Sequence, residues 1–592
     1  MSKHYYTDEK NAQIVIALLK AHGIRRIIAN PGTTNIAIVG SVQNDPWFEV
    51  YSGVDERHSA YMAVGMAAES GEPVVLSCTG ATASRNYLPA LTEAYYRKLP
   101  VLAITSMKNL DEIGQLSPQA LDRSQLPKDV VRKSFECRVV KNDHDGLVCQ
   151  RKVNEAILEL TRHGGGPVHI NLEISWRMSF GTEELPSVTR IHRITESNLD
   201  EAPPLSPNKK IAMFIGSGRI DEALFDFVRD YNVAVFADEG SGYRGLKRVY
   251  SSLLCSQIGF KNNPKFEHLR PDLIINVGEI SGDYPSDGYL NRIAPVWRLS
   301  EDGEIKTRFG LPEYVFEMSN SLFVRQYRMQ QIDKDATSNY YEAWRKEDKR
   351  LHDLMPELPF SNPWIAKELS SALPKHSILH LGILNSLRSW NCFPAREDIA
   401  TYCNVGGFGI DGGVSTLIGA SLVRKDKLCF GVFGDLAFFY DLNSLGNRHI
   451  ASNLRILLIN NGCGGEFIIY NHPGAQFGRQ TNDYIAAGGH FANKSKNLIR
   501  HYAQDLGFKY LVASDKEEFR NKLSDFVSSD CDRPIIFECF TETKDESDAH
   551  KILNNLETYK QPETKQPETA SSVLKSIIPQ RMKNVVKAAI GK

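Results

Sequence analysis

Short apolar runs alternate with amphipathic stretches along most of this chain of 592 residues. Runs such as residues 101–105 are typical of buried strands, and the stretches between them have the length of helices. Strands that alternate with helices of about 10–15 residues form parallel sheets that are covered on both faces. Because the chain is too long for one hydrophobic core, the sequence predicts an α/β protein with three doubly wound parallel-sheet domains.

Changes in composition give the boundaries of these domains. The passage before residue 207 is rich in proline, and the passage before residue 570 repeats the unit QPET, which predicts disorder. The predicted segments are a first sheet domain (1–182), a linker (183–207), a middle sheet domain (208–340), a third sheet domain (355–545), a flexible linker (546–570) and a tail helix (571–592).

The predicted tail helix, residues 571–592, has apolar residues at helical spacing and five Lys and Arg side chains. This pattern is typical of a basic amphipathic helix that binds a membrane surface or a partner protein. Packing against the protein's own oligomer is the alternative interpretation. We therefore expect any membrane contact to be peripheral and to involve this tail.

Bulk composition excludes several other classes of protein. The formal net charge is -1, so no overall field favours nucleic acid, and no nucleic-acid partner is expected. The ten cysteines form no CxxC pair and no zinc-binding spacing. No leader sequence and no apolar run of about 18–20 residues is found. We expect a cytoplasmic protein with reduced thiols, peripheral at the inner membrane face at most.

The strongest local motif is Phe433-Gly434-Asp435 at the end of an apolar strand, followed after a second apolar strand by Asn461. Mg²⁺ prefers oxygen ligands, and the carboxyl ends of neighbouring parallel strands are where open α/β sheets bind ligands. A backbone carbonyl two residues after Asn461 could supply a third oxygen. The alternative is a Gly-Asp turn and an unrelated Asn-Asn-Gly loop.

This motif is similar to the thiamine diphosphate (ThDP) motif of the decarboxylase and acetohydroxyacid synthase superfamily. The resemblance implies that Asp435, Asn461 and the carbonyl of Cys463 bind Mg²⁺, which holds the cofactor diphosphate, with Gly434 and Gly464 beside it. The superfamily usually has another glycine where this chain has Leu436. Gly-Asp-Leu followed by residues 439–445 resembles the MenD group, which makes a menaquinone precursor.

Two further segments carry the same resemblance to the third domain of the superfamily. Gly409-Ile410-Asp411-Gly412 is similar to the segment that cradles the thiazolium ring. The resemblance implies that Ile410 pushes ThDP into its bent conformation; the alternative is a core isoleucine beside a glycine turn. Asn385 and Ser386 are assigned to the cofactor by the same resemblance.

In the first domain, Glu56 follows a strand and opens a helix, as the catalytic glutamate of the superfamily does. A carboxyl group partly desolvated between subunits should have a raised pKa, so it could share a proton with the aminopyrimidine of ThDP. The alternative is a first-turn acid stabilised by the helix dipole. Residues 81–94 also resemble a MenD segment, and the resemblance assigns Asn86 to the cofactor.

The resemblance implies a reaction and an assembly. A 2-oxoacid would lose CO₂ while the cofactor serves as electron sink, and the carbanion would be protonated or transferred to an acceptor. The active site would lie between the first domain of one subunit and the third domain of another. A homodimer or homotetramer is therefore expected, with a small-molecule 2-oxoacid and an acceptor as its ligands.

The resemblance is weakest at the residues expected around the substrates, which in the MenD group are 2-oxoglutarate and isochorismate, both multiply anionic. Thr34, Val405 and Trp390 stand where the MenD group has arginines, and loss of charge-assisted hydrogen bonds weakens anion binding by about 1.5–3 kcal/mol each. Lys108 replaces a further arginine and lacks its planar fork, whereas Gln119 matches a glutamine of the group. The predicted substrate residues are Thr34, Lys108, Gln119, Arg388, which could compensate, and Trp390.

These replacements predict a MenD-like carboligase with less anionic substrates, in cell-surface polysaccharide or secondary biosynthesis. Three alternatives stay open at this point. The chain could be a genuine menaquinone enzyme or a simple 2-oxoacid decarboxylase. It could also be a non-catalytic ThDP-fold subunit that binds a partner through its tail.

Overall fold

The computed structural model describes residues 5–177, 179–218, 221–328, 339–490 and 494–558. These residues form three all-parallel sheets, one after another along the chain. The predicted α/β class with three parallel-sheet domains is therefore confirmed. The tail helix predicted over 571–592 lies outside the described residues, as does the part of the flexible linker after residue 558.

The first sheet has six strands in the order β2-β1-β3-β4-β6-β5. Its strands are β1 (Arg26–Ala29), β2 (Glu49–Ser52), β3 (Val74–Thr79), β4 (Val101–Lys108), β5 (Ser134–Cys137) and β6 (Val168–Ile174). Its helices are α1 (Lys10–Ala21), α2 (Ile36–Val42), α3 (Glu56–Ser70), α4 (Ala81–Asn86), α5 (Leu88–Arg97) and α6 (Asp143–Glu159). Every residue of β6 is buried, as expected for a parallel sheet covered on both faces.

The middle sheet has seven strands in the order β10-β9-β8-β11-β12-β13-β7. They are β7 (His192–Ile194), β8 (Ile211–Ile215), β9 (Val233–Phe236), β10 (Arg248–Val249), β11 (Leu273–Val277), β12 (Val296–Ser300) and β13 (Pro312–Glu317). The helices are α7 (Ala223–Asp230), α8 (Ser251–Cys255), α9 (Tyr284–Leu290), α10 (Asn320–Arg328) and α11 (Tyr340–Leu354). The predicted linker 183–207 thus contains an edge strand, because β7 pairs with β13.

The third sheet has six strands in the order β15-β14-β16-β17-β19-β18. They are β14 (Ile378–Leu381), β15 (Ala400–Cys403), β16 (Cys429–Gly434), β17 (Leu454–Asn460), β18 (Lys509–Ala513) and β19 (Ile535–Phe540). The helices are α12 (Asn362–Ala372), α13 (Asn385–Cys392), α14 (Gly413–Val423), α15 (Asp435–Tyr440), α16 (Thr481–Tyr484), α17 (Leu498–Asp505), α18 (Lys516–Val527) and α19 (Thr543–Leu553). The last helix, α19, extends into the linker predicted over 546–570.

Buried side chains join the middle and third domains into one core. Trp344 on α11 and Trp364 on α12 are both fully buried in the same apolar cluster. The backbone N–H of Glu239 donates to Asn391 Oδ1 at 2.9 Å across this boundary. The first domain has apolar clusters of its own on the two faces of its sheet. Within the described part of the chain, no helix is long and apolar enough to cross a membrane.

Candidate active site

Asp435 and Asn461 lie at the carboxyl ends of two paired strands, β16 and β17, whose register places Gly434 opposite Ile459. The Asp435 carboxylate is buried and accepts two backbone N–H groups, from Leu436 at 2.8 Å and from Gly462 at 2.6 Å. Burial raises the pKa of Asp435 to about 7. The loop after β17 therefore folds directly over this carboxyl group.

Glycines let the same loop approach its neighbours closely. A Cβ atom at Gly465 would lie 2.8 Å from Asn461 Nδ2 and 3.4 Å from Asn385 Nδ2, so α13 begins beside this loop. A Cβ atom at Gly464 would lie 3.2 Å from Leu436 Cδ1. The structure thus brings together Asn385, Gly434, Asp435, Leu436, Asn461, Cys463 and Gly464.

The segment around Ile410 leads into α14, whose first residue lies close to the end of β16. A Cβ atom at Gly413, the first residue of α14, would be 2.9 Å from Phe433 Cε1. Ser415 on α14 donates its backbone N–H and its hydroxyl to the Asp441 carboxylate, at 2.5 and 2.6 Å. Ile410 is partly exposed and belongs to none of the buried clusters. The interpretation of Ile410 as a core residue is therefore not supported.

Glu56 is the first residue of α3, at the carboxyl edge of the first sheet. Asp55 caps this helix by accepting the backbone N–H of His58. Burial raises the pKa of Cys78 to about 12, and the nearby Glu56 charge adds to this shift. The same charge acts on Tyr87, whose hydroxyl donates to Asn30 Oδ1 at 2.6 Å. Glu56 is thus a partly exposed acid over the ends of the first-domain strands.

Comparison with known proteins agrees with this geometry. Residues 9–126 match the family model for the thiamine pyrophosphate enzyme, N-terminal TPP binding domain. The chain is 31% identical over 552 residues to a 2-succinyl-5-enolpyruvyl-6-hydroxy-3-cyclohexene-1-carboxylate synthase of Bacteroides fragilis, with 90% of this chain and 97% of the relative covered. A synthase with the same name from Bacteroides thetaiotaomicron is 31% identical over 551 residues, covering 90% and 96%. One from Flavobacterium johnsoniae is 28% identical over 558 residues, also covering 90% and 96%.

The chain belongs to the MenD group of thiamine diphosphate enzymes. The predicted family is therefore confirmed, as is the prediction of a ThDP enzyme with a divalent metal such as Mg²⁺. Both conclusions follow from similarity over nearly the whole chain rather than from one motif.

The third-domain edge of this MenD-group chain fits a divalent cation. Asp435 is buried, and no cationic side chain of the described residues forms an ion pair with it. Each of its oxygens accepts one backbone N–H and keeps a lone pair. A hard cation that takes carboxylate, amide and carbonyl oxygens would supply the missing charge. Asp435, Asn461 and the carbonyl of Cys463 are the residues that would hold it.

Arg388, predicted to contact the substrate, is paired with Glu466. Its guanidinium forms two parallel bonds with the Glu466 carboxylate, at 2.8 and 2.9 Å, and donates to Asn385 Oδ1 at 3.0 Å. No motif in the sequence pointed to Glu466. Ser386, also on α13, is buried and accepts from Asn362 Nδ2 at 3.3 Å.

The structure contradicts the substrate role predicted for Trp390. Its indole is fully buried in the core shared by the middle and third domains. Val405, another position that lacks the expected arginine, is buried in the same core. The side of α13 that carries Trp390 packs inward, so this side chain cannot contact a substrate directly.

The other predicted substrate residues lie near the first-domain edge. Thr34 is buried, and its hydroxyl donates to the carbonyl of Ser106 at 2.6 Å. Lys108 is exposed at the end of β4, with Nζ 5.4 Å from the centre of the Trp176 ring. Gln119 is exposed in the loop that follows β4. Asn86, predicted to bind the cofactor, is exposed at the end of α4.

Arg123 is a buried arginine at this edge, and it was not among the residues predicted from the sequence. Its side chain is 1% exposed, and its Nη2 donates to Asn171 Oδ1 at 2.6 Å. Burial lowers the pKa of Arg123 to about 10. Its place in the sequence, four residues after Gln119, was the only available signal.

Proposed function

We propose that this chain decarboxylates a 2-oxoacid and transfers the acyl carbanion to an acceptor, with substrates less anionic than a dicarboxylate pair. The observation that most strongly supports weaker binding of anions is the bidentate pairing of Arg388 with Glu466. This pairing occupies a guanidinium that stands close to Asn385 and the metal-binding loop. Thr34 offers a hydroxyl in place of a further charge, and that hydroxyl is already bonded to Ser106.

Bound ThDP supplies an electron sink for the carbanion that remains when CO₂ leaves. The chain contributes the rest of the chemistry in this proposal. Asp435, Asn461 and the carbonyl of Cys463 would hold the metal ion, Ile410 would set the conformation of the cofactor, and Glu56 would hold a proton for its aminopyrimidine ring. Such proton transfer by a positioned carboxyl group typically contributes about 10²–10⁴-fold to a rate.

Glu56 and Asp435 lie on different sheet domains, which supports an active site shared between subunits. We therefore propose a homodimer or homotetramer in which Glu56 of one subunit faces the third domain of another. Small-molecule 2-oxoacid and acceptor are its ligands. Sedimentation of the protein with ThDP and Mg²⁺ tests this assembly, and a fully active monomer would contradict it.

A second candidate is the reaction named for the relatives, 2-succinyl-5-enolpyruvyl-6-hydroxy-3-cyclohexene-1-carboxylate synthesis. Identity of 31% over 90% of the chain favours it, as does the exposed position of Lys108 and Gln119. A simple decarboxylase without an acceptor is a variant of the first proposal. A non-catalytic subunit is disfavoured, because Glu56, Asp435 and Asn461 are all present.

The deciding experiment supplies the protein with ThDP, Mg²⁺ and a panel of 2-oxoacids, with and without isochorismate. Release of CO₂ and the mass of the product are followed together. We expect CO₂ from at least one 2-oxoacid, without consumption of isochorismate. Release of CO₂ from 2-oxoglutarate coupled to consumption of isochorismate would instead establish the second candidate. No CO₂ from any acid would refute both.

A further inference from the structure

Two side chains in contact at the carboxyl edge of the first sheet keep hydrogen-bond donors without acceptors. Arg123 Nε and Nη1 and Asn171 Nδ2 are buried and have no hydrogen-bond partner among the described residues. Asn171 lies on β6, opposite Thr105 of β4, and its Oδ1 accepts from the guanidinium of Arg123. Buried polar groups are normally paired, so these unpaired donors imply an acceptor from outside.

Arg123 is the charged member of this cluster. Its guanidinium is held by one bond, from Nη2 to Asn171 Oδ1 at 2.6 Å, and it forms no ion pair among the described residues. Its Nη1 occupies the space beside Gly80, where a Cβ atom would lie only 2.2 Å from it. The same Cβ atom would lie 3.1 Å from the carbonyl oxygen of Ser106. Nη1 of Arg123 therefore lies against Gly80, between the end of β3 and the start of α4.

A buried guanidinium without a counter-ion destabilises the fold unless an anion binds to it. A carboxylate only accepts hydrogen bonds, and its two oxygens offer about four lone pairs, which matches the group of unpaired donors. The carboxylate next to the keto group of a 2-oxoacid leaves as CO₂. A cation fixed to it would stabilise the substrate against that loss, so a second carboxylate is the better match.

We propose that Arg123 is a specificity-determining residue that binds a carboxylate of the substrate other than the one that leaves as CO₂. This inference rests on the proposed decarboxylation and transfer, and it names the chemistry that this site selects. The carboxylate belongs to the far end of the donor or to the acceptor. Arg123 acts together with Asn171, which orients the guanidinium.

The loop over residues 109–133, between β4 and β5, must shift for a ligand to reach Arg123. Leu116 in this loop is fully exposed, and Leu116 and Gln119 both have positive φ angles, of 60° and 67°. Such conformations cost about 1–3 kcal/mol each for residues with a side chain. The loop is therefore held in a strained conformation that binding could release.

The test compares matched substrates in Arg123→Gln and in the parent protein, both with ThDP and Mg²⁺. The donor pair is 2-oxoglutarate and 2-oxopentanoate, which differ by the distal carboxylate; the acceptor pair is 4-carboxybenzaldehyde and benzaldehyde. We expect kcat/KM to fall about 10- to 100-fold for one carboxylate-bearing member, mainly through KM, and less than about 3-fold for its neutral partner. The pair that responds identifies the donor or the acceptor as the source.

Two variants separate recognition from folding. Gly80→Ala keeps Arg123 in the sequence but places a methyl group against its Nη1, and we expect the same carboxylate-selective loss. Arg85→Gln removes an exposed neighbouring cation, and we expect it to leave both pairs within about 3-fold of the parent. Equal losses for carboxylate and neutral substrates in Arg123→Gln would overturn the proposal. So would dissociation of the oligomer in this variant, which would show that a partner subunit supplies the acceptor.

A binding measurement keeps this inference separate from the proposed function. Glutarate and butyrate are titrated calorimetrically into the protein loaded with ThDP and Mg²⁺. We expect glutarate to bind the parent at least about 10-fold more tightly than Arg123→Gln, and butyrate to show no such difference. If no 2-oxoacid releases CO₂ while glutarate binding depends on Arg123, the proposed reaction fails and the carboxylate site stands. If CO₂ is released but glutarate binding ignores Arg123, the site fails alone.

Discussion

The two sheet edges that carry the candidate site differ in how their polar groups are satisfied. At the third-domain edge, both oxygens of Asp435 accept backbone N–H groups, and Arg388 pairs with Glu466. At the first-domain edge, Arg123 and Asn171 keep donors that have no acceptor among the described residues. The chain itself satisfies the hydrogen bonds of the third-domain edge, whose carboxylate lacks only a cation, whereas the first-domain edge still needs a hydrogen-bond acceptor.

This difference follows from what each edge binds. ThDP and its metal are common to the whole family, so the loop after β17 can be set in advance around Asp435. Residues that depart from the pattern of the MenD group lie in both domains, but Val405 and Trp390 of the third domain are buried, whereas Lys108 of the first-domain edge is exposed. We infer that the third-domain edge determines the cofactor and the first-domain edge determines the choice of substrate.

The largest expected effect is that of Glu56→Gln, which tests whether the first-domain edge also contributes to the chemistry. The amide keeps the shape of the side chain but cannot hold the exchangeable proton, so turnover should fall about 10²–10⁴-fold. Thermal stabilisation by ThDP and Mg²⁺ should be retained. Glu69→Gln, at the exposed end of the same helix, is the control. Full turnover by Glu56→Gln would refute the proposed role.

Asp435→Asn tests whether the third-domain edge binds the metal ion and the cofactor. The amide oxygen can replace one acceptor but not the negative charge, so affinity for Mg²⁺ and ThDP should fall by at least about 10- to 100-fold. The variant without cofactor should not unfold earlier, because it no longer buries an uncompensated carboxylate. Thermal unfolding with and without ThDP and Mg²⁺ measures both effects, with Asp426→Asn on the surface as control. Cofactor stabilisation equal to that of the parent would remove Asp435 from the metal site.

Variants of the Arg388–Glu466 pair test whether the Arg388 guanidinium stabilises the fold or binds the substrate. The two side chains are 27% and 17% exposed, so Arg388→Met alone should destabilise the fold by about 1–2 kcal/mol through the unpaired Glu466. Adding Glu466→Gln should restore most of this stability. Urea unfolding measures the cycle. If the double variant is stable but has lost its activity, Arg388 contacts the substrate after all, and the contrast between the edges fails.

Much of the fold could be predicted because its strands are continuous apolar runs. Strands β8 and β11 are buried along their whole length, as are β6 and β17, and such burial is typical of a parallel sheet covered on both faces. The strand β7 could not be predicted in this way. It has three residues and includes two basic side chains, and its pairing with β13 depends on a segment more than a hundred residues away.

The candidate site likewise contains residues that local sequence predicts and residues that it does not. Asp435 and Asn461 could be predicted because each directly follows a buried strand, so local sequence fixes the edge at which they lie. Trp390 and Arg123 could not. The burial of Trp390 depends on how α13 packs between two domains, and that of Arg123 on Gly80 and Asn171, which are distant in sequence. Side chains whose environment is tertiary give no local signal.

The smallest expected effect concerns Asp283, a buried carboxyl group that belongs to neither edge. It accepts the hydroxyl groups of Ser286 and Ser252, at 2.5 and 3.0 Å, and burial raises its pKa to about 7. Because the folded-state pKa is raised, the protonated group stabilises the fold, and this contribution is lost as pH rises through about 7.

Asp283→Asn should therefore flatten the dependence of stability on pH. Between about pH 6 and pH 8 the parent should lose about 1 kcal/mol of unfolding free energy that the variant keeps. Urea unfolding at both pH values, with and without ThDP and Mg²⁺, measures this difference. Since no metal ligand is involved, the difference should be the same in both conditions. A pH difference that disappears on addition of the cofactor would show that the middle domain responds to cofactor binding at the third-domain edge. The conformation of this edge would then depend on the middle domain as well as on its own residues.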